Sequence, residues 1–480
     1  MDDLCKLTAR QAVSLLKEKK VSPLELIDAA SGRIAETDGA INAISTLCLE
    51  RARKHARALM TSPSPDPSPA YLYGLPIAVK DLTDVGGVRT TYGSILFANH
   101  VPKHSNYVVE TLERNGAIVI GKSNTPEFGA GATTFNEVFG RTYNPWDTQM
   151  TPGGSSGGSA AALAAGQVWL ATGTDLGGSI RIPSSYCSIV GLRPSPGRVA
   201  YGPDELPFDT LRVHGPMART VGDVALMLDA QVGQHPDDPL SFPAPNIPFI
   251  SSVDYPARPR RIAFSPNLGG LAPVEAEVRE ICTKGALSFG DMGTVVEEAC
   301  PDLHDAEEIF QILRAAFMAT YRGPLLESHR NSLKPELVWN IEKGLELTPS
   351  QIGRAERARG ELYHRTVSFF HDFDLLLSPA VVAPPFDARL RYLKEVEGVT
   401  FDTYVGWLVL AFAITLTACP AISVPCGFTA KGLPVGLQIV GPPRGETKVL
   451  SAAALLEEHE KLSNCVPIDP RVRPGPFHCN

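Results

Sequence analysis

Apolar residues in the first 60 positions recur three and four residues apart, which is the period of amphipathic helices. Thr8 is placed to cap the first helix, and Ser22-Pro-Leu-Glu25 has the capping-box pattern that opens the next one. We therefore expect residues 1–60 to form a helical segment that packs on a larger domain of residues 61–480. The alternating prolines from Ser62 to Pro69 predict an extended surface loop.

Beyond this loop, short apolar runs alternate with helical patterns. The runs Leu75–Lys80 and Ala117–Ile120 predict strands, and the stretch Val108–Asn115 between them predicts a helix. This alternation predicts an α/β layer. The same patterns predict further strands at Val168–Thr172, Arg260–Phe264, Asp374–Pro379 and Gly436–Gly441, and further helices at Ser159–Gly166, at Pro273–Ser288, over much of 302–372 and near 446–461.

The segment Thr403–Ala430 has no charged residue and is long enough to suggest a membrane span. Pro420, however, limits a helix that begins at Tyr404 to about 16 residues, which is about 24 Å against the ~30 Å of a bilayer core. We expect a buried helix that ends near Cys419, followed by a strand at Ala421–Val424, and no contact with a membrane.

The composition is typical of a globular protein that handles small molecules. The chain has 480 residues, 44% of them hydrophobic, and a formal net charge of −8. This charge gives no basis for binding nucleic acid. The nine cysteines form no Cys-x-x-Cys pair, and the acidic N-terminus lacks an apolar run, so we expect a protein of the reducing cytoplasm.

Two loops rich in glycine and hydroxyl residues, Thr151–Ala160 and Gly173–Arg181, carry the candidate chemistry. Glycine lets backbone N–H groups approach a ligand, so serines among glycines suggest a reactive serine beside an anion-stabilising backbone. A phosphate loop is disfavoured because Ser159 stands where that motif needs lysine. A nucleophile elbow centred on Ser155 is disfavoured because Pro152 and the loop before it replace the required strand.

The remaining motifs do not indicate a metal or a cofactor. Gly129-Ala-Gly131 begins like a dinucleotide fingerprint, but Thr134 stands where the third glycine should be. His100 and His104 are four residues apart, but the proline between them disfavours a shared helical face for a metal. We expect neither kind of group in this protein.

With histidines few and solitary, lysine is the remaining candidate for a base. Lys80 ends an apolar strand, where burial lowers the pKa of an amine. A base that works near neutral pH needs such lowering, because the ordinary lysine pKa is about 10.4. Asp81 points to the opposite face of a strand, so it should not neutralise Lys80. On these residues alone, a solvent-exposed Lys80 that caps the strand remains the alternative interpretation.

Together these segments resemble the amidase signature family. The resemblance spans nearly the whole chain, and the step of 24 residues from Ser155 to Ser179 is similar to that between the family's two catalytic serines. It implies an α/β fold with a single large domain, in which a central mixed β-sheet is covered by helices on both faces. The segments that carry it are Gly74–Asp81, Gly153–Gly158, Gly173–Pro183, Gly191–Pro194, Gly197–Val199, Gly215–Ala218, Pro420–Pro425 and Gly432–Gly436.

The resemblance also assigns roles to individual residues. It implies that Ser179 is the nucleophile, Ser155 the serine that bridges to the base, and Lys80 the base. A cis peptide bond is implied between Gly154 and Ser155. The backbone N–H groups implied to hold the oxyanion are those of Leu176, Gly177, Gly178 and Ser179. The side chains implied to brace this loop are those of Asp175 and Arg181.

The substrate pocket can be outlined in the same way. The segment that resembles the family's acyl pocket has small side chains, which would leave room for a bulky or aromatic acyl group; its residues are Gly129, Ala130, Gly131 and Thr133. Tyr404, Trp407 and Phe412 are candidates for the opposite wall, with packing in the core as the alternative.

The function implied is an amidohydrolase that cleaves the C–N bond of a small-molecule amide through an acyl-enzyme, without cofactor or metal. Cleavage of carbamates or esters by the same residues is one alternative. Another is the glutamine-hydrolysing subunit of a tRNA-dependent amidotransferase, which works in a complex. A non-enzymatic binding protein would lack one of Lys80, Ser155 and Ser179, and all three are present. A homodimer is left open.

Overall fold

The computed structural model describes residues 2–62 and 68–472. Most of the predicted proline-rich loop, residues 63–67, and Cys479 lie outside the described residues. The strands, in chain order, are β1 (Ile44–Leu47), β2 (Pro76–Lys80), β3 (Ile118–Ser123), β4 (Phe135–Asn136), β5 (Gly140–Arg141), β6 (Leu170–Asp175), β7 (Val190–Arg193), β8 (Val213–Ala218), β9 (Arg261–Phe264), β10 (Val295–Glu298), β11 (Leu375–Pro379), β12 (Glu395–Val396), β13 (Val399–Thr400), β14 (Ala421–Phe428) and β15 (Pro434–Val440).

The helices account for most of the remaining regular structure. In chain order they are α1 (Asp2–Lys6), α2 (Ala9–Lys17), α3 (Pro23–Ile41), α4 (Leu49–Thr61), α5 (Tyr107–Arg114), α6 (Gly157–Ala164), α7 (Arg181–Cys187), α8 (Val221–Gln231), α9 (Ser251–Asp254), α10 (Ala276–Asp291), α11 (Ala306–His329), α12 (Pro335–Leu345), α13 (Pro349–Asp372), α14 (Val409–Leu416) and α15 (Glu446–Glu460).

One mixed sheet of eleven strands forms the centre of the fold. Its order is β1-β3-β2-β6-β8-β7-β14-β15-β11-β9-β10. The groups β3-β2-β6 and β11-β9-β10 are parallel, and the pairs between and beside them are antiparallel. The predicted α/β fold with a central mixed sheet flanked by helices is confirmed.

Burial along the central strands shows that both faces of the sheet are covered. Every residue of β2, β3, β8, β11 and β15 is buried. Successive side chains of a strand point to opposite faces, so such strands have no solvent-facing side. Their apolar runs were therefore visible in the sequence as continuous rather than alternating patterns.

The N-terminal segment differs from the prediction at one place. Thr8 and Ser22 do cap α2 and α3, each through a capping box. The Ile44–Leu47 segment is not helical, however, because it pairs with β3 as the antiparallel edge strand β1. A strand of four residues takes its backbone partners from a distant segment, so local periodicity does not reveal it. The division of the chain at residue 60 stays a prediction.

The uncharged segment near residue 410 is buried in the protein, as expected. Its helix is shorter than predicted: a 3₁₀ turn at Gly406–Leu408 leads into α14, which ends at Leu416. The following strand, β14, is longer than predicted because its pairing with β15 continues to Phe428, with a shift in register between Pro425 and Gly427. No helix in the described part of the chain has the length and apolar character needed to cross a membrane.

The cysteines agree with the sequence prediction only in part. Seven of them are free thiols in the described ranges: Cys5, Cys48, Cys187, Cys282, Cys300, Cys419 and Cys426. Cys465, in contrast, is disulfide-bonded, which differs from the reduced cysteines expected of a protein of the reducing cytoplasm. The predicted cytoplasmic location stays a prediction.

Two helical glycines provide a matched test of the packing between α11 and α12. A Cβ atom at Gly344 of α12 would lie 2.0 Å from the Ala315 backbone oxygen of α11, whereas a Cβ at Gly360 of α13 would meet nothing within 4 Å. We expect Gly344→Ala to lower the free energy of unfolding by about 1–3 kcal/mol, because the helices must separate. Gly360→Ala should raise it by about 0.5–1 kcal/mol through helix propensity. Urea denaturation measures both, and equal effects would contradict the packing argument.

Candidate active site

Two neighbouring parallel strands bring the predicted base next to the two glycine-serine loops. β2 ends at Lys80, and β6, its neighbour in the sheet, ends at Asp175. Because the carboxyl ends of parallel strands meet at one edge, the residues that follow them lie together. The first loop leads into α6, which begins at Gly157 beside the same edge.

The Lys80 side chain is fully buried and surrounded by hydroxyls. Its Nζ lies 2.7 Å from Ser155 Oγ and 2.8 Å from both Ser156 Oγ and Thr174 Oγ1. Burial holds the pKa of Lys80 well below its ordinary value, and the negative charge of Asp175 offsets this lowering only in part. A solvent-exposed lysine that caps the strand, the alternative left open by the sequence, is therefore wrong.

Asp81 takes no part in this cluster. Its carboxylate accepts a hydrogen bond of 2.6 Å from Thr91 Oγ1 and lies 3.6 Å from Lys122 Nζ. The prediction that Asp81 would not neutralise Lys80 is confirmed, and the reason is the alternation of side chains along a strand.

The first loop contains an unusual peptide bond and is joined to the second loop. The bond between Gly154 and Ser155 is cis, as the resemblance implied. The Ser156 N–H donates to the Ser179 carbonyl oxygen at 3.1 Å, so the two loops are bonded to each other. Among the described residues, no hydrogen bond joins the Ser155 and Ser179 hydroxyls directly.

An ion cluster at the end of β6 supports the second loop. Asp175 is fully buried and accepts from Arg181 at 2.9 and 3.1 Å and from Arg193 at 3.3 Å. Burial disfavours the carboxylate, but the two guanidinium groups outweigh this and lower the pKa of Asp175 far below its usual range. The residues predicted to brace the loop, Asp175 and Arg181, are therefore bonded to each other.

One of the predicted oxyanion donors is already used. The Gly178 N–H donates to Asp175 Oδ1 at 3.0 Å, so the expectation that it points at the substrate is wrong in this structure. The N–H groups of Leu176, Gly177 and Ser179 have no acceptor among the described residues. They are the donors that remain free for an anion.

A cavity of about 350 Å³ opens above these loops. Ser155 and Ser179 line it, together with Leu176 and Gly177. Its other walls are mainly aromatic side chains and one face of α11; they include Tyr92, Phe97, Phe128, Tyr201, Phe310, Arg314, Phe317, Met318, Tyr321 and Arg322.

Only part of the segment predicted to form the acyl pocket lines the cavity. Gly129 and Gly131 line the cavity, whereas Ala130 and Thr133 do not. The Ala130 carbonyl oxygen accepts from Lys334 Nζ, and Thr133 Oγ1 donates to the Arg391 carbonyl at 2.6 Å. Both residues thus hold the segment in place from behind.

The aromatic residues near position 410 also lie behind the wall of the cavity. Tyr404, Trp407 and Phe412 are buried and do not line it, so the alternative of core packing is correct for them. Phe412 stacks on Phe310, with ring centroids 4.2 Å apart, and Phe310 is the ring that faces the cavity.

Sequence reasoning missed His214, which lines the cavity beside Thr174 across β6 and β8. Burial is the main cause that lowers the pKa of His214 to about 3. A base that works near neutral pH needs a much higher pKa, so His214 does not compete with Lys80 for that role. No motif marks this residue, because only the strand pairing brings it to the site.

Comparison with known proteins places the chain in a family. The family model for amidases matches residues 25–450. The chain belongs to the amidase family. It is 34% identical to an acylamidase of Rhodococcus erythropolis over 466 residues, which cover 96% of this chain and 97% of that protein. It is 35% identical over 487 residues to a glutamyl-tRNA(Gln) amidotransferase subunit of Anaeromyxobacter dehalogenans, covering 95% of this chain and 96% of that one.

Solved structures give the same result. A bacterial aryl acylamidase of the amidase signature family matches with a TM-score of 0.88 and 28% identity, over 96% of this amidase and 98% of that chain. The family and these relatives indicate that this amidase is a hydrolase that acts on amide C–N bonds.

The buried amine of Lys80 predicts a specific dependence of stability on pH. In the folded amidase its pKa is lowered, whereas in the unfolded chain it is about 10.4, so the unfolded chain binds more protons between these values and stability rises with pH. We expect Lys80→Met to be more stable than the wild type by a margin that grows as the pH falls from about 9.5 to about 7.5. Denaturant unfolding of both proteins at each pH measures the margin; a margin that does not change with pH would contradict the lowered pKa.

Proposed function

We propose that this amidase hydrolyses small-molecule amides through an acyl-enzyme on Ser179, with Ser155 and Lys80 moving the proton. The observation that carries the proposal is the 2.7 Å contact between the buried Lys80 amine and Ser155 Oγ. A neutral amine can accept a proton from that hydroxyl, and burial favours the neutral form.

In the first half-reaction, Ser155 transfers its hydroxyl proton to Lys80 and receives the hydroxyl proton of Ser179. The Ser179 Oγ forms a bond to the carbonyl carbon, and the electron pair of the C=O bond moves to the oxygen. Since the two serine hydroxyls are not hydrogen-bonded to each other in this structure, this transfer needs a small movement of Ser179 or of the substrate-bound loop.

The oxyanion formed in this step is held by backbone donors. The free N–H groups of Leu176, Gly177 and Ser179 follow the end of β6 and border the cavity. A donor of this kind contributes about 3 kcal/mol to lowering the barrier. Asp175 holds the loop that bears these donors, because it accepts hydrogen bonds from Arg181 and from the Gly178 N–H.

The intermediate then collapses to products. The C–N bond breaks, Ser155 gives its proton to the leaving nitrogen, and the Lys80 ammonium returns a proton to Ser155. Water then attacks the ester of Ser179 through the same residues, giving a carboxylic acid and the free serine. The amine of Lys80 is neutral again at the end, so the cycle closes without a cofactor or a metal.

The shape of the cavity supports a compact substrate with an aromatic part. Its volume of about 350 Å³ is within the range of small-molecule sites, and aromatic rings form much of its wall. The solved aryl acylamidase and the Rhodococcus acylamidase are relatives consistent with this substrate class. Carbamates and esters fit the same chemistry, because the acyl-enzyme tolerates other leaving groups.

A second candidate is a glutamine-hydrolysing subunit of an amidotransferase. It is favoured by the 35% identity to the Anaeromyxobacter amidotransferase subunit, against 34% for the acylamidase. Copurification of partner chains, with glutaminase activity that needs them, would support this candidate. Activity of the isolated chain on amides other than glutamine supports the free enzyme, which we favour because the cavity wall is aromatic.

Substitution of the three proposed residues tests the mechanism. Ser179→Ala, Ser155→Ala and Lys80→Ala should each lower kcat by about 10⁴-fold or more, because the residues act as a unit. Ser184→Ala is the matched control: Ser184 is buried on α7 and donates to the Ile180 carbonyl at 2.8 Å, outside the cavity. Amine release and thermal unfolding are measured for all four variants. Full hydrolysis by a folded Ser179→Ala protein would rule out the proposed nucleophile.

The range of leaving groups is tested with substrates that share one acyl group and differ in the leaving group. For an amidase of this mechanism, an anilide, a primary amide and the corresponding phenyl ester should all form the same acyl-enzyme on Ser179. Mass spectrometry of the acid-quenched protein detects this adduct, and it should be missing in Ser179→Ala. A mass increase on another residue would contradict the assignment.

A further inference from the structure

One face of α11 forms a wall of the cavity and carries two arginines. Residues that lie three or four positions apart share a helix face, and the members here are Phe310, Arg314, Phe317, Met318, Tyr321 and Arg322. Arg314 is only 4% exposed, so its charge is held inside the protein at the cavity wall.

The described contacts of Arg314 include no carboxylate, and its guanidinium carbon lies 5.0 Å from the centroid of the Tyr404 ring. Its Nη2 donates to the hydroxyl of Tyr404, which in turn lies 3.2 Å from Asn340 Oδ1. Its Nη1 is buried and has no hydrogen-bond partner among the described residues. Among the described residues Arg314 forms no salt bridge, and the Tyr404 hydroxyl that it contacts is neutral.

Three other buried arginines of this protein have the carboxylate partner that Arg314 lacks, whereas buried Arg219 donates to the backbone carbonyls of Val168 and Leu7 instead. Arg181 and Arg193 contact the Asp175 carboxylate, and Arg198 contacts Glu446 at 3.2 Å. A guanidinium buried without such a partner is costly, and a ligand that supplies an anion removes the cost. Arg314 lines the cavity and has no such carboxylate among the described residues.

Two carboxylates of the cavity are already paired with other arginines. Asp175 is taken by Arg181, and Asp204 is paired with Arg212 at 3.0 Å. Neither carboxylate is therefore available to balance Arg314.

The two other carboxylates that line the cavity do not form an ion pair with Arg314 either. Asp84 accepts from the Tyr92 hydroxyl at 2.7 Å, and Glu205 is exposed to solvent. Arg322, further along the same helix face, lies over the ring of Tyr321 and has no ion pair in the described residues. The wall formed by α11 thus carries two arginine charges that no carboxylate of the described protein pairs with.

We propose that Arg314 binds an anionic group of the substrate, a carboxylate in the first instance, so that the preferred substrates are amides that also carry a negative charge. This inference rests on the proposed function, because it concerns the same cavity. Arg314 lines the cavity and its guanidinium group has no carboxylate partner among the described residues, which suits a substrate carboxylate, for which arginine is the usual partner.

Matched substrates test the proposal by replacing one oxygen with a methyl group. In the first pair, succinanilate carries the charge on its acyl group and levulinic anilide is its neutral counterpart. In the second pair, para-acetamidobenzoate carries the charge on its leaving group and para-acetylacetanilide is its neutral counterpart. We expect the charged member of at least one pair to have a kcat/KM about tenfold higher or more, as for a charge-assisted hydrogen bond. A preference for the neutral member in both pairs overturns the proposal.

Variants show whether Arg314 is the cause. In Arg314→Met the ratio of kcat/KM between charged and neutral members should fall to about one, and Arg314→Lys should keep part of it. Arg354→Met is the control, because Arg354 is exposed on α13 and does not line the cavity. A merely structural Arg314 would lower both members of a pair alike and leave the ratio unchanged, which overturns the proposal.

Binding without turnover separates this proposal from the mechanism. In a Ser179→Ala background, titration calorimetry measures the affinity for succinanilate and for para-acetamidobenzoate, with and without Arg314→Met. Binding of either anion that weakens about tenfold or more in the double variant supports the anion site even if no amide is hydrolysed. Binding of neither anion, or binding that does not depend on Arg314, overturns it whether or not the protein is an amidase.

Discussion

The candidate site is organised around the burial of one lysine amine among hydroxyls. Lys80 Nζ contacts Ser155, Ser156 and Thr174, and no carboxylate pairs with it in the described residues. A lysine in such a place is costly as an ammonium, so the protein must keep it neutral or provide acceptors. The hydroxyls come from the first glycine-serine loop and from β6, and the site exists only where these elements meet the end of β2.

The second requirement is a rigid support for the loop after β6. Asp175 receives hydrogen bonds from two arginines and from the Gly178 N–H. Arg181 also donates to Gln438 Oε1 at 2.7 Å and to Thr415 Oγ1 at 3.0 Å, which ties the loop to β15 and α14. A buried network of this kind fixes the backbone donors before a substrate arrives.

The wall opposite these loops has a different character. It is built from α11, a helix of 24 residues that carries both aromatic rings and arginines toward the cavity. The proposed reaction depends on the loop edge of the cavity, whereas the proposed preference for charged amides depends on this wall. The two proposals therefore concern separate parts of the chain.

Local patterns in the sequence were enough to predict the α/β class, the capped helices at Thr8 and Ser22, and the segments that hold Lys80, Ser155 and Ser179, because these depend on periodicity and on short motifs. The folded structure was needed to show that β1 is a strand, that the Gly178 N–H is taken by Asp175, and that His214 and Arg314 line the cavity. Strand pairing and the convergence of distant side chains depend on contacts between segments far apart in the chain, which no local pattern encodes.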